Sequence, residues 1–317
     1  MLNNHNREYI FGPVPSRRLG RSLGVDLVPF KTCTYDCVYC QLGRTTNKTT
    51  QIKEWVSIDK IISQLRDKLD SQPDYITLSG SGEPTLHSGI GQLISAVKKI
   101  TDIPIAVLTN GSLLWRPEVR DAIKNADLVA PSLDAADDRV FQRINQPHPD
   151  ITFPDMVDGL VKFRREFTGK YWLEVFLLEG INTADRQIEQ LQACIQAIGP
   201  DKVQLNTAVR PTAAPVHPVS PDRLSSIARL LGSRAEVIAD YQDIRRHQLF
   251  SVPAEAVLVL LKRRPCSMDD IALGLGIHRN EAVKLVELLL SDGKITAHSH
   301  DQQTFYQIAQ CGKSTPQ

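Results

Sequence analysis

Three thiols stand within eight residues in Cys33-Thr34-Tyr35-Asp36-Cys37-Val38-Tyr39-Cys40. Spacings of four and three let them converge on one centre from a single loop. Thiolates are soft ligands, suited to zinc or to iron and sulfide. A structural zinc needs a fourth protein ligand, commonly a nearby Cys or His. No His lies between His5 and His87, and no fourth Cys is near. Three ligands therefore suit a 4Fe–4S cluster with one iron left open to a non-protein ligand. A closed zinc knob, or three unrelated thiols, is the alternative. Cys194, Cys266 and Cys311 are scattered, and Cys194 falls on an apolar helix face and reads as core.

Such a loop needs a scaffold. Six short β-rich apolar runs occur at 25–30, 75–79, 104–109, 127–133, 171–178 and 202–207. They are near-continuous, as in strands covered on both faces. Helical stripes lie between them: Ile90, Leu93, Ile94 and Val97; Met156, Leu160, Phe163 and Phe167; Ile188, Leu191, Ile195 and Ile198. Pro117 suits the first turn of a further helix. The alternation implies parallel βαβ units with right-handed crossovers. Six units fit a partial (β/α)6 barrel or an open doubly wound sheet. In either, functional loops collect at the C-terminal strand ends, and the cysteine loop follows the first run directly.

The Pro-rich stretch 210–221 reads as a linker, with a helix at about 222–231 and an edge strand at 236–240 after it. From Pro253 the pattern changes to helical runs at 253–263, 267–274 and 279–291, then a turn signal at Asp292-Gly293 and two strands at 295–297 and 304–308. Three helices and a hairpin suggest a winged-helix-like α+β domain over 251–311, after a barrel domain over 1–250, with a frayed tail at 312–317. The 317 residues carry a formal net charge of +1, with 42% apolar and 23% charged residues, which excludes disordered and collagenous classes. No export signal or 18-residue apolar run is present, so the expectation is a cytoplasmic protein without membrane contact.

The cysteine loop resembles the defining motif of the radical S-adenosylmethionine (radical SAM) superfamily, and Tyr39 matches the aromatic residue usual before the third cysteine. The resemblance implies that Cys33, Cys37 and Cys40 hold the cluster. The open iron would bind S-adenosylmethionine, which is cleaved reductively to a 5′-deoxyadenosyl radical that takes hydrogen from a substrate. Gly80-Ser81-Gly82-Glu83-Pro84 is similar to the family's segment that receives the methionine ammonium, with Ser81 where the family has glycine. Asn110, Ser132 and Asp134 fall at strand ends that contact the cofactor in the family; alternatively Asn110 is a left-handed turn residue and Asp134 a helix cap. Leu178-Glu179-Gly180-Ile181-Asn182 resembles a glycine motif near the adenine, and Asn206 ends the sixth run. The opening Gly12 to Gly24, with Asp134 to His148, resembles a prokaryotic subgroup grouped with the wybutosine-biosynthesis enzymes, which modify tRNA.

Arg17, Arg18, Arg21, Lys31 and Arg44 gather near the cysteines. Arg17 and Arg18 are the substrate-binding candidates, since guanidinium grips phosphate or carboxylate through two parallel hydrogen bonds. Their target would be RNA, a nucleotide or another acidic substrate, with a reducing donor such as flavodoxin or ferredoxin supplying electrons. A protein substrate, as in glycyl-radical activation, and a non-catalytic iron–sulfur winged-helix regulator are the competing readings. The third C-terminal helix would be the nucleic-acid reader, through His278, Arg279 and Lys284. The module after Pro253 has seven Lys/Arg against seven Asp/Glu, so it is poorly equipped for phosphate contact.

Overall fold

The computed structural model describes residues 8–209, 212–238, 252–261, 265–275, 277–300 and 303–309. Strand β1 (Ile10–Ser16) pairs antiparallel with β2 (Gly20–Val25). Two short strands, β3 (Thr32–Cys33) and β4 (Asn47–Lys48), pair in parallel around the cysteine loop. Alternation then takes over: α1 (Ile58–Arg66), β5 (Tyr75–Leu78), α2 (Ile90–Val97), β6 (Ile105–Thr109), α3 (Pro117–Ile123), β7 (Leu128–Pro131), α4 (Asp138–Ile144), α5 (Phe153–Glu166), β8 (Lys170–Leu177), α6 (Asp185–Ile198), β9 (Lys202–Thr207), α7 (Pro221–Leu231) and β10 (Ala235–Val237). The sheet order is β1-β2-β5-β6-β7-β8-β9-β10, parallel from β2 onward.

That order decides between the two architectures the sequence allows. Each new strand joins the same edge, so right-handed crossovers put every helix on one face and the sheet curls. A doubly wound sheet reverses its order and has helices on both faces. The fold is thus a partial (β/α)6 barrel, widened by β1 at one edge and β10 at the other. Strands β5 to β7 are nearly all buried, and the expected stripes of α2, α5 and α6 form the inner faces of those helices. Cys194 packs partly buried against this core, as expected. Among the described residues no helix is long and apolar enough to cross a membrane.

The first strand departs from expectation. Residues 25–30 read as a strand, but β2 ends at Val25 and the next six residues run as a loop to β3. Leu27 and Val28 are buried in that loop outside any strand, so their apolar character reflects burial and not a ladder. The β1–β2 hairpin and α1 were not legible as elements. The segment 241–250 lies outside the described residues, as do residues 239–240 of the expected edge strand and the tail 312–317.

After residue 252 come α8 (Ala254–Leu261), β11 (Cys266–Ser267), α9 (Met268–Leu275), α10 (Arg279–Ser291), β12 (Ile295–His300) and β13 (Gln303–Ile308). The strands form an antiparallel sheet in the order β11-β13-β12, over a separate core that includes Val257, Ile271, Leu285 and Leu289. Cys266 is buried in that core, and β11 adds a strand to the expected hairpin. Helix α10 lies against β1, so its basic residues do not form a solvent-facing reader: His278 pairs with Asp26, and Arg279 stacks over Phe30 and pairs with Asp269.

Candidate active site around the cysteine loop

The loop holding Cys33, Cys37 and Cys40 lies over the C-terminal strand ends and is pinned from two sides. The Asp36 and Val38 amides donate to Asn145 O and Ile144 O at 3.0 and 2.9 Å, and His148 N donates to Thr34 O at 2.8 Å. The stretch from Asp134 to His148 therefore clamps the loop. On the other side the Glu83 amide donates to Thr32 O at 3.1 Å. A side chain at Gly82 would put its Cβ 1.9 Å from that same oxygen, so only glycine fits.

Each sulfur has a side-chain nitrogen donor. Lys31 Nζ stands 3.0 Å from Cys40 Sγ, Asn110 Nδ2 is 3.5 Å from Cys33 Sγ, and Asn145 Nδ2 is 3.5 Å from Cys37 Sγ. Lys31 is itself only 4% exposed and sits at φ 56, a conformation that side-chain-bearing residues adopt at a cost. Lys31 and Asn145 were not singled out as sulfur donors from the sequence; the signal was a Lys two residues before Cys33 and an Asn within the clamp.

Burial pushes the Cys33 thiol up to about 12, with the Glu83 charge adding to it, and burial raises Cys37 as well. By themselves these sulfurs stay protonated at neutral pH. A positively charged metal centre ionises thiols in such surroundings. Among the described residues no three His, Cys, Asp or Glu side chains converge as ligands of one ion. The closed zinc knob therefore has no ligand set there, whereas a cubane spreads its thiolates over separate irons. Three free thiols, each with a donor on sulfur, fit a 4Fe–4S cluster.

The carboxylates singled out from sequence are engaged elsewhere. Glu83 is 2% exposed and takes hydrogen bonds from Thr85 N, Thr85 Oγ1, Thr109 Oγ1 and Asn110 N, at 3.1, 2.6, 2.6 and 2.8 Å. Burial raises it, and those donors pull it back. Asp134 accepts from Tyr39 Oη at 2.5 Å, Asn145 Nδ2 at 2.7 Å and Phe176 N at 2.9 Å. Burial pushes it up to about 6. Neither is among the residues that line the cavity beside the cysteines, and both fix neighbouring groups. The helix-cap alternative for Asp134 fails too, because Asp137 caps α4. Asn110 is not the left-handed residue; Gly111 is.

That cavity, of about 390 Å³, is lined by Cys37, Tyr39, Cys40, Gly80, Ser132, Arg17 and Arg18 among the expected residues. Cys33, Ser81, Gly82 and Asn110 lie behind it. Tyr39 stacks on Phe176 with ring centroids 3.9 Å apart. Ser81 spends its amide and hydroxyl on Asp26, at 2.6 and 2.8 Å. Arg18 pairs with Glu174 at 2.9 Å, and Arg17 donates to Asn206 Oδ1 at 3.1 Å. Of the other basic residues, Arg21 donates to Ser71 O and Arg44 pairs with Asp36. The two key residues of the glycine motif lie apart from the cavity lining. Asn182 braces Asp134 O and Phe176 O, while Gly180 lines a separate groove beside α6 that holds no cysteine.

A family model described as the Radical SAM superfamily matches residues 27–191. A protein of Brachyspira hyodysenteriae named GTPase Obg is 39% identical over 292 residues, covering 90% of this chain but only 43% of that protein. A UPF0026 protein of Methanocaldococcus jannaschii is 31% identical, covering 93% of this chain and 94% of that one. The fold is similar to the crystal structure of Streptococcus suis SuiB bound to S-adenosylmethionine, with TM-score 0.53, 14% identity, and coverage of 68% of this chain and 50% of SuiB. Radical SAM proteins bind a 4Fe–4S cluster and S-adenosylmethionine, are generally enzymes, and draw on an electron donor. With its cysteine loop over the strand ends of a parallel partial barrel, the chain belongs to the Radical SAM superfamily and to the UPF0026 proteins.

Proposed function

We infer that the chain is a radical SAM enzyme whose cluster is held by Cys33, Cys37 and Cys40. The observation that carries this reading is the set of three free thiols on one loop, each with its own nitrogen donor at sulfur. When bound and reduced, the cluster would cleave S-adenosylmethionine to a 5′-deoxyadenosyl radical able to take hydrogen from a substrate. The protein's part is to hold, orient and exclude. Tyr39, fixed by Asp134 and Phe176, and Gly80 and Ser132 form the cofactor side of the cavity. Asn110 and Asn145 orient two of the sulfurs, and Glu83 holds the strand end that carries Asn110. Arg17 and Arg18 form the substrate side.

Arg17 and Arg18 in the cavity lining favour a nucleotide or tRNA substrate, with flavodoxin or ferredoxin as donor and a cytoplasmic location. The C-terminal unit over 251–311 is kept as a winged-helix-like domain. Protein modification is the second reading, supported by an active-site wall built partly from a C-terminal unit. The inward-turned α10 disfavours the regulator reading. Anaerobic reconstitution should give about four irons per chain, and dithionite with S-adenosylmethionine should release 5′-deoxyadenosine. Cys37→Ala should lose both. A fully clustered protein that releases no deoxyadenosine overturns the reading.

A further inference from the structure

We propose that Lys31 acts on the cluster through Cys40: its buried ammonium donates to Cys40 Sγ and raises the reduction potential of the centre held by Cys33, Cys37 and Cys40. The proposal rests on the enzyme reading above and adds how the protein governs electron entry at that site.

The side chain of Lys31 is spent on sulfur. The residue is 4% exposed, and its Nζ stands 3.0 Å from Cys40 Sγ. Among the described residues no carboxylate pairs with it and no oxygen accepts from Nζ. A buried cation is costly to hold unless a partner compensates it. A neutral thiol is a weak acceptor, so the cluster-free fold leaves most of that cost standing. A thiolate on iron is a better partner, since hydrogen bonds to ionised acceptors are roughly twice as strong.

The backbone of Lys31 is fixed for this task. It sits at φ 56, a left-handed conformation that glycine or asparagine takes more readily than lysine. Three hydrogen bonds hold it there. Lys31 N donates to Ser81 O at 2.7 Å, and Lys31 O accepts from Thr46 N and Asn47 N at 3.2 and 3.1 Å. The residue is thus clamped between the Gly80–Glu83 segment and the start of β4. Two costs meet at one position, and what the ammonium reaches is the gain that offsets them.

The other two sulfur donors differ. Asn110 Nδ2 and Asn145 Nδ2 are neutral and stand 3.5 Å from their sulfurs. Each also donates to an oxygen at 2.7 Å, Thr34 Oγ1 and Asp134 Oδ2 respectively. Lys31 is the charged and undivided donor of the three. The potential of an iron–sulfur centre depends on net charge, hydrogen bonds to sulfur and solvent exposure. Reduction adds one electron, from a low-potential donor, to a centre that already carries thiolate charge. An ammonium at one sulfur therefore favours the reduced form, and its burial keeps salt from screening it.

Redox titration of the reconstituted full-length chain, without S-adenosylmethionine, tests the proposal. Dithionite is the reductant, and the electron paramagnetic resonance signal of the reduced cluster is the readout. In Lys31→Met the equilibrium constant for one-electron reduction should fall about tenfold, a shift of about 59 mV to more negative potential. Lys31→Gln keeps an N–H donor without charge and should shift in the same direction. Lys31→Arg keeps the charge and should stay within about threefold of wild type. The difference between Lys31→Met and wild type should persist at about 1 M salt. The urea midpoint of cluster-free Lys31→Met should match or exceed wild type, because an apolar side chain of similar length replaces a buried cation. Wild-type potentials in both uncharged variants, or a shift that vanishes with salt, overturn the proposal. A lowered urea midpoint with iron lost from both uncharged variants makes Lys31 a fixture of the loop and equally overturns it. A wild-type chain that takes up no cluster overturns the enzyme reading as well. A clustered wild type that releases no deoxyadenosine overturns that reading alone and leaves the potentials standing.

Discussion

Two sets of charged side chains surround the cysteine loop, and they follow opposite rules. Beneath it, Glu83 and Asp134 are almost wholly buried, and their oxygens are filled by seven donors from the chain itself. Beside it, Arg17, Arg18 and Lys284 line an open cavity, with one guanidinium nitrogen lacking an acceptor among the described residues. A saturated buried carboxylate is a fixture that holds donors in place. A guanidinium with one nitrogen left open at a cavity wall, as in Arg18, is available to something from outside. Both sets look alike in sequence, as charged residues near a motif.

The difference is tested most sharply at Glu83. In Glu83→Ala four donors, three of them buried, lose their acceptor at once. Each such orphan costs about 1–3 kcal/mol, so the expected loss of stability is about 3 kcal/mol or more, read from the urea midpoint. An unchanged midpoint would show that Glu83 is free to serve a ligand.

Asp134 gives the next effect, through pH. Its folded pKa of about 6 lies above its ordinary value of 3.8, chiefly because burial penalises the charged form. The native state therefore holds the proton more tightly than the unfolded chain. Its stabilising contribution is complete below pH 3.8 and is lost as pH rises through about 6, a fall of order 2–3 kcal/mol. Asp134→Asn should flatten the slope of the urea midpoint with pH across that window, whatever it does to the midpoint itself. An identical slope in the variant would mean the carboxylate keeps an ordinary pKa. Gly80→Ala comes third. Gly80 sits at φ 125, and a Cβ would fall 1.8 Å from Asp26 Oδ1. We expect a loss of about 2 kcal/mol, with faster hydrogen exchange at the start of α10, because Asp26 also holds His278.

These effects mark what the sequence could convey. The cysteine spacing and the strand–helix alternation were legible because both are local patterns. The ends of the first strand were not, because Leu27 and Val28 are apolar for burial alone. An acid at a strand end announces itself, but the direction its carboxylate turns depends on partners far along the chain, such as Tyr39 and Asn145 for Asp134. Asp26 falls inside the apolar run 25–30, and nothing in its local sequence marks it. Its role appears only when His278, about 250 residues later, reaches it. The balanced charge of the C-terminal unit gave no sign that Asn280, Val283 and Lys284 of α10 line the cavity beside the cysteines.

The smallest effect on stability belongs to Lys284, and its smallness is informative. Lys284 is about one quarter exposed, and its ion pair with Glu287 is long, at 3.9 Å. Such a pair contributes little. Lys284→Met keeps the aliphatic stem and a good helix former, so its urea midpoint should stay within about 0.5 kcal/mol of wild type. A large stability loss would place Lys284 with Glu83 and Asp134 as a fixture of the fold. A neutral midpoint separates it from the two buried carboxylates, because the barrel then holds together without the lysine's charge.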